Sequence, residues 1–147
     1  MLQRIALAAA AALTLISINA CSQENATALA APDAYAQAQA GQVKLIDIRR
    51  PDEWRQTGVA KGAARINMEH PQGPAGFVRQ VSAEVGGNLD APIALICRTG
   101  NRTTHMEQVL RQAGFTNVYN IKEGMAGSSA GPGWIKRGLP VEPCPTC

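Results

Sequence analysis

A seven-residue polar stretch constrains the fold of this chain more than any other feature. It spans residues 97–103 and reads Cys-Arg-Thr-Gly-Asn-Arg-Thr. The aliphatic run before it, Pro92–Ile96, predicts a short buried parallel strand. Apolar residues at helical spacing after it predict a helix that ends at Gly114. The sequence therefore predicts a cysteine at the carboxyl end of a strand, where open α/β sheets bind their ligands, followed by a tight loop and a helix N-terminus.

The same stretch predicts an anion-binding loop around a reactive thiol. Successive backbone N–H groups at a helix N-terminus attract anions, Gly100 allows a tight turn, and Arg98 and Arg102 add two positive charges. A free thiol has a pKa of about 8.5, so little of it is nucleophilic thiolate at neutral pH. The helix dipole supplies only about 0.3–1 kcal/mol, so the N–H groups and the arginines must supply the rest. This favours Cys97 as a nucleophile over a buried structural cysteine before a turn.

The stretch resembles the active loop of rhodanese-family sulfurtransferases. The resemblance implies that Cys97 is the catalytic residue and carries sulfane sulfur as a persulfide. It implies a small anionic donor, such as thiosulfate, and a thiol or cyanide acceptor, with no metal and no organic cofactor. The substrate-binding residues implied by the resemblance are those of the loop after the cysteine: Arg98, Thr99, Gly100, Asn101, Arg102 and Thr103.

Two other functions remain open from the sequence. The loop is also similar to the Cys-x5-Arg loop of cysteine phosphatases and related arsenate reductases, but four residues rather than five separate Cys97 from Arg102. A cradle that is one residue shorter should be too small for a tetrahedral phosphate, which favours sulfur transfer. The non-enzymatic alternative is a sulfur carrier or binding module of the envelope that uses the same fold without turnover.

Flanking segments extend the resemblance over Asp33–Val141. Residues 45–54, Leu-Ile-Asp-Ile-Arg-Arg-Pro-Asp-Glu-Trp, resemble the first signature of the family, and residues 58–67 resemble the second. The predicted role of Asp47 and Arg49 is to support the active loop, because a carboxylate near Arg98 or Arg102 would hold its shape. The alternatives are that Asp47 and Arg49 only pair with each other or with solvent, or that they contact the substrate directly.

The resemblance implies an α/β fold, with a single rhodanese-like domain over residues 32–141. We expect a parallel sheet of about five strands with helices on both faces. Helical patterns cover 33–40, 51–56, 77–85 and 104–114, and the family's final helix would cover 134–137. Strand patterns cover 43–48, 92–96 and 117–121.

The N-terminus predicts export. Arg4 precedes an apolar run, Ile5–Ile18, that is shorter than the roughly 20 residues needed to span a bilayer, so residues 1–20 are typical of a signal peptide. Residues 18–21, Ile-Asn-Ala-Cys, resemble a bacterial lipobox and imply lipidation of Cys21. We therefore expect a periplasmic protein that is held at the envelope membrane by a lipid anchor, with residues 21–31 as a flexible tether. Simple cleavage of the signal is the alternative.

Net charge and the C-terminal cysteines give two further predictions. A net charge of +3, with no patch that interleaves basic and aromatic residues, argues against a nucleic-acid partner. The tail over residues 142–147 contains Cys144 and Cys147, a C-x-x-C pair that can be an inert disulfide, a redox pair or half of a metal site. When reduced, this pair could accept sulfur from a Cys97 persulfide. Nothing in the pattern indicates an oligomeric state.

Overall fold

The computed structural model describes residues 27–147, and a four-stranded parallel sheet lies at its centre. The strands are β1 (Lys44–Asp47), β2 (Val59–Ala60), β3 (Ala64–Arg65), β4 (Ile93–Ile96), β5 (Val118–Asn120) and β6 (Val141–Glu142). The helices are α1 (Ala31–Gln39), α2 (Pro51–Thr57), α3 (Gly73–Glu84) and α4 (Asn101–Gln112). The central sheet has the order β3-β1-β4-β5, and β2 and β6 form a separate antiparallel pair.

The middle of the sheet is formed by β1 and β4, and all four residues of β4 are aliphatic. All four residues of β4 are buried, and β4 pairs with β1 in parallel from Lys44 opposite Ile93 to Asp47 opposite Ile96. A strand that is covered on both faces must be apolar along its whole length, which is why β4 is a continuous aliphatic run. This register brings the ends of β1 and β4 to the same edge of the sheet.

Each face of the sheet has its own apolar core, so the predicted α/β class with helices on both faces is confirmed. On one face, α3 and α4 bury Phe77, Val81, Met106 and Leu110 against the strands. On the other face, α1 and the turn around Trp134 cover the sheet. Because both cores contact β4, the segment that follows β4 starts from a rigid position.

Residues before the expected domain boundary at residue 32 already contact the domain. Ala28 forms an isolated parallel bridge with Asn120, and the Leu29 N–H donates to the Asn120 carbonyl at 3.0 Å. The α1 helix starts at Ala31, whose N–H donates to the Glu123 carboxylate at 2.8 Å. The last residues of the expected tether therefore run along the open edge of β5. The central sheet thus has four strands where about five were predicted, and the Ala28–Asn120 pairing is an isolated bridge beside it.

The predicted final helix over 134–137 is a turn instead. The Arg137 N–H donates to Gly133 at 3.1 Å and the Leu139 N–H donates to Trp134 at 3.2 Å, but no regular helical ladder continues in this described segment. Gly133 and Gly138 both have positive φ angles, so the chain reverses at each end after only one turn. From there the chain enters β6, which fixes the tail against β2.

The predicted signal peptide and Cys21 lie outside the described residues. Within residues 27–147, no helix combines the length and the apolar character needed to cross a membrane.

Candidate functional site

Cys97 lies directly after β4 at the carboxyl edge of the sheet. Its side chain is 1% exposed, and the Gly100 N–H donates to its Sγ at 3.2 Å. The Thr103 hydroxyl lies 3.7 Å from the same sulfur, and α4 begins at Asn101. A backbone N–H and a helix N-terminus thus face the sulfur, and both favour a negative charge there.

Two glycines let the loop close around the sulfur. Gly100 has a φ of 88°, and a Cβ at this position would overlap the carbonyl oxygen of Lys122. Gly124 has a φ of 64°, and a Cβ there would lie 2.5 Å from the Arg98 carbonyl oxygen. The turn around Gly124 also donates from Met125 N–H to the Cys97 carbonyl at 2.8 Å. The loop is therefore held against the turn that follows β5 by backbone contacts that a side chain would break.

A buried network of hydrogen bonds connects the loop to α4 and β5. The Thr103 hydroxyl lies 2.7 Å from both the Gly100 carbonyl oxygen and the Asn120 Oδ1, and it is completely buried. The Asn120 Nδ2 donates to the Thr104 hydroxyl at 2.8 Å, and that hydroxyl in turn donates to Gly100 at 2.9 Å. Asn120 of β5 thereby joins two side chains of α4 to the Gly100 carbonyl. The sequence did not mark Asn120 as a site residue, because one polar residue in a strand has no distinctive pattern.

Glu53 fixes Arg102, the second arginine of the loop. The Arg102 Nη1 and Nη2 donate to the two Glu53 oxygens at 2.6 Å each, and the Arg50 N–H donates to Glu53 Oε2 at 3.2 Å. Burial opposes ionisation of Glu53, but the Arg102 guanidinium and the Arg50 N–H stabilise the charged form and lower its pKa to about 2. The bond to Glu53 is the main cause that raises the pKa of Arg102, and Cys97 adds a smaller contribution. The planar fork of Arg102 is thus held in one orientation near the sulfur.

The two loop arginines therefore differ in their roles. Arg102 is bound to a carboxylate, which offsets much of its charge. Arg98 is exposed and makes no ion pair with any residue in the described part of the chain. Of the two predicted donor-binding cations, Arg98 is the one that is available to an incoming anion.

Asp47 and Arg49 bind each other rather than either loop arginine. The Arg49 Nε and Nη2 donate to Asp47 at 2.9 and 2.7 Å, and Arg49 also donates to Thr57 and to the Gly58 carbonyl. Both side chains are almost completely buried. The pair ties the end of β1 to the end of α2, and α2 carries Glu53. The carboxylate that holds the active loop is therefore Glu53, and Asp47 supports the loop only through this helix.

A cavity of about 210 Å³ opens beside the loop. Arg98 and Glu53 contribute charged groups to its lining, and Met125, Ala126 and Ile135 contribute apolar surface. Arg49, Gln56 and Thr57 complete the lining. The cavity is large enough for a small anion or for the thiol end of a larger acceptor. Among residues 27–147, no group of three or more His, Cys, Asp or Glu side chains could hold a metal ion.

Comparisons with known proteins agree with this geometry. The family model described as "Rhodanese-like domain" matches residues 30–130. An uncharacterised protein of Rickettsia prowazekii is 26% identical over 98 residues, which are 65% of this chain and 80% of that protein. The Bacillus subtilis protein YqhL is 33% identical over 81 residues, which are 55% of this chain and 56% of that protein.

Solved structures give the same result for the fold. The polysulfide-sulfur transferase homodimer of Wolinella succinogenes is 26% identical, with a TM-score of 0.60, over 79% of this chain and 77% of that one. A protein of Mycobacterium tuberculosis is 25% identical with a TM-score of 0.60, over 79% of this chain and 96% of that one. The family model covers most of the described chain, and its match includes β1, β4 and the Cys97 loop. The chain belongs to the rhodanese-like domain family.

Proposed function

We propose that this protein is a sulfurtransferase that carries sulfane sulfur as a persulfide on Cys97. The observation that carries the proposal is the position of the Cys97 sulfur, which accepts the Gly100 N–H at a helix N-terminus beside Arg102. These groups stabilise a thiolate, and they would also stabilise the negative charge of a persulfide. The likeness to a polysulfide-sulfur transferase supports the same chemistry.

Transfer takes place in two displacements. In the first, the Cys97 thiolate attacks the outer sulfur of a thiosulfate-like donor, the sulfur–sulfur bond of the donor breaks, and sulfite leaves with the electron pair. In the second, cyanide or a thiolate attacks the outer sulfur of the Cys97 persulfide and releases the Cys97 thiolate. Arg98 attracts the anionic donor, because it is exposed on the cavity beside the loop. No separate base is required, since both nucleophiles react as anions.

The test is turnover by the wild-type protein and by Cys97→Ser with thiosulfate and cyanide. We expect thiocyanate formation by the wild type and a loss of at least about 100-fold in the variant, because a serine hydroxyl is a poor acceptor of sulfane sulfur. Cys97→Ser differs by one atom at a buried site, so the fold should be retained, as circular dichroism can check. Undiminished turnover by Cys97→Ser would overturn the assignment of Cys97.

The same preparation distinguishes the two other functions. Phosphate release or arsenate reduction without persulfide formation would favour a phosphatase-type enzyme, although the loop between Cys97 and Arg102 is one residue shorter than the phosphatase pattern. Stoichiometric sulfur labelling without turnover would favour a carrier or binding module.

A further inference from the structure

The C-terminal cysteine pair lies outside the Cys97 loop. Cys144 and Cys147 are joined by a disulfide, and both are only partly buried. The antiparallel pairing of β6 with β2 holds the tail against the domain. The Arg55 guanidinium also donates to the Cys147 carbonyl. The disulfide is therefore fixed on the surface of the folded domain, within reach of solvent.

Arg65 lies directly on this disulfide. Its Nη1 is 2.6 Å from Cys144 Sγ and 2.7 Å from Cys147 Sγ. Arg65 is exposed, and none of the ion pairs among the described residues involves it. A disulfide sulfur is neutral and a weak acceptor, whereas a thiolate is charged and a strong acceptor. A permanent cation that contacts both sulfurs therefore favours the reduced pair over the oxidised pair.

Access to the pair is unequal. Cys144 lines two open cavities of about 320 and 310 Å³, and Cys147 lines neither. The first cavity has apolar walls from Val141, Pro143 and Pro145. An attacking thiolate can therefore approach Cys144, while Cys147 is positioned to leave as a thiolate beside Arg65.

We propose that Cys144 and Cys147 form a reversible dithiol–disulfide site, reduced by a dithiol partner and assisted by Arg65. A thiolate of the partner attacks Cys144 Sγ, the Cys144–Cys147 bond breaks, and Cys147 leaves as a thiolate on the Arg65 guanidinium. The second thiolate of the partner then attacks the partner's sulfur atom in the mixed disulfide and releases Cys144 as a thiolate. Two electrons pass from the partner to the pair, and the partner becomes a disulfide. The proposal does not depend on the chemistry of Cys97.

The experiment follows reduction of the pair in the full-length chain with dithiothreitol as the dithiol. After acid quenching and alkylation, trypsin releases residues 138–147, which contain Cys144 and Cys147 but neither Cys21 nor Cys97. The mass of this peptide gives the reduced fraction at each time and in each redox buffer. We expect the wild-type pair to be reduced and reoxidised without unfolding, as circular dichroism can verify.

The variants test the part played by Arg65. Arg65→Ala should slow reduction about two- to fivefold and shift the equilibrium towards the disulfide, as expected for loss of an exposed charge contact. Arg65→Lys should recover part of the rate, because it keeps the charge but loses the fork. Lys61→Ala is the matched control, since it removes an equal charge from the neighbouring exposed segment and should behave as the wild type. Equal rates for Arg65→Ala and Lys61→Ala, or a pair that is reduced only when the protein unfolds, would overturn the proposal.

Discussion

Glu53 lies outside the active loop but fixes one of the two arginines of that loop. It binds Arg102 through two hydrogen bonds of 2.6 Å and leaves Arg98 as the exposed cation. A bidentate pair of this kind is a stronger interaction than a single hydrogen bond, and it also restricts the orientation of both side chains. We infer that Glu53 is a positioning residue, which acts on Cys97 by holding the Arg102 guanidinium near the sulfur.

The lowered pKa of Glu53 predicts a dependence of stability on pH. Its pKa in the folded protein is about 2, below the usual value of 4.5, so its contribution is complete above about pH 4.5 and is lost as the pH falls through 2. Glu53→Gln should therefore lower the free energy of unfolding by about 1–2 kcal/mol at pH 7, and the difference from wild type should vanish near pH 2. Urea unfolding at a series of pH values measures this difference.

Glu69→Gln is the control for the loss of one negative charge. The Glu69 side chain is 55% exposed and pairs only loosely with Arg50, so this change should alter stability little. A stability difference for Glu53→Gln that persists unchanged down to pH 2 would mean that the ion pair with Arg102 is not its cause.

At the scale of elements, the turn after β5 determines the shape of the loop. Gly124→Ala combines a positive φ with a clash against the Arg98 backbone, so we expect a loss of about 2–4 kcal/mol in the free energy of unfolding. Gly41→Ala is a matched control, since Gly41 has a φ of 69° but a Cβ there would meet no atom within 4 Å. That variant should lose only about 1 kcal/mol. If chemical denaturation shows that both variants lose the same free energy of unfolding, the close contact between the turn and the loop is not the cause of the loss.

The elements that carry the loop were predictable from local patterns. The β4 strand is a continuous aliphatic run, and the polar loop and the helix follow it directly in sequence, so spacing alone predicted their arrangement. The partner of Arg102 was not predictable in this way, because Glu53 is 49 residues distant and is brought to the loop only by the folding of α2 against the sheet edge. Two acidic residues, Asp52 and Glu53, lie in the first turn of α2, and the sequence pattern does not indicate which of them contacts the loop. The predicted final helix was wrong because glycines at both ends limit it to a single turn.

At the level of the whole molecule, α2 lies between the two proposed sites, the Cys97 loop and the C-terminal cysteine pair. Gln56 and Thr57 line both the cavity beside the active loop and the cavity beside the C-terminal pair.

The N-terminal segment adds a proposed position in the cell. We propose that the mature chain is attached to the envelope membrane by lipid on Cys21, a residue outside the described structure, so that both sites face the oxidising side of the membrane.

Fractionation of expressing cells tests the anchor. We expect wild-type protein in the membrane fraction and Cys21→Ala in the soluble fraction or unprocessed, because the several acyl chains of a bacterial lipoprotein hold it stably. Mature wild-type protein that is wholly soluble, with Cys21 unmodified or absent, would contradict the proposed anchor while leaving the assignment of Cys97 untouched.

Mass spectrometry of the purified protein after reaction with thiosulfate tests whether Cys97 carries sulfane sulfur. We expect the gain of one sulfur atom, located on the peptide that contains Cys97 and lost on addition of cyanide, with no gain on Cys97→Ser. Absence of added sulfur on Cys97 in the folded wild-type protein, or sulfur that cyanide does not remove, would contradict the proposed role of Cys97.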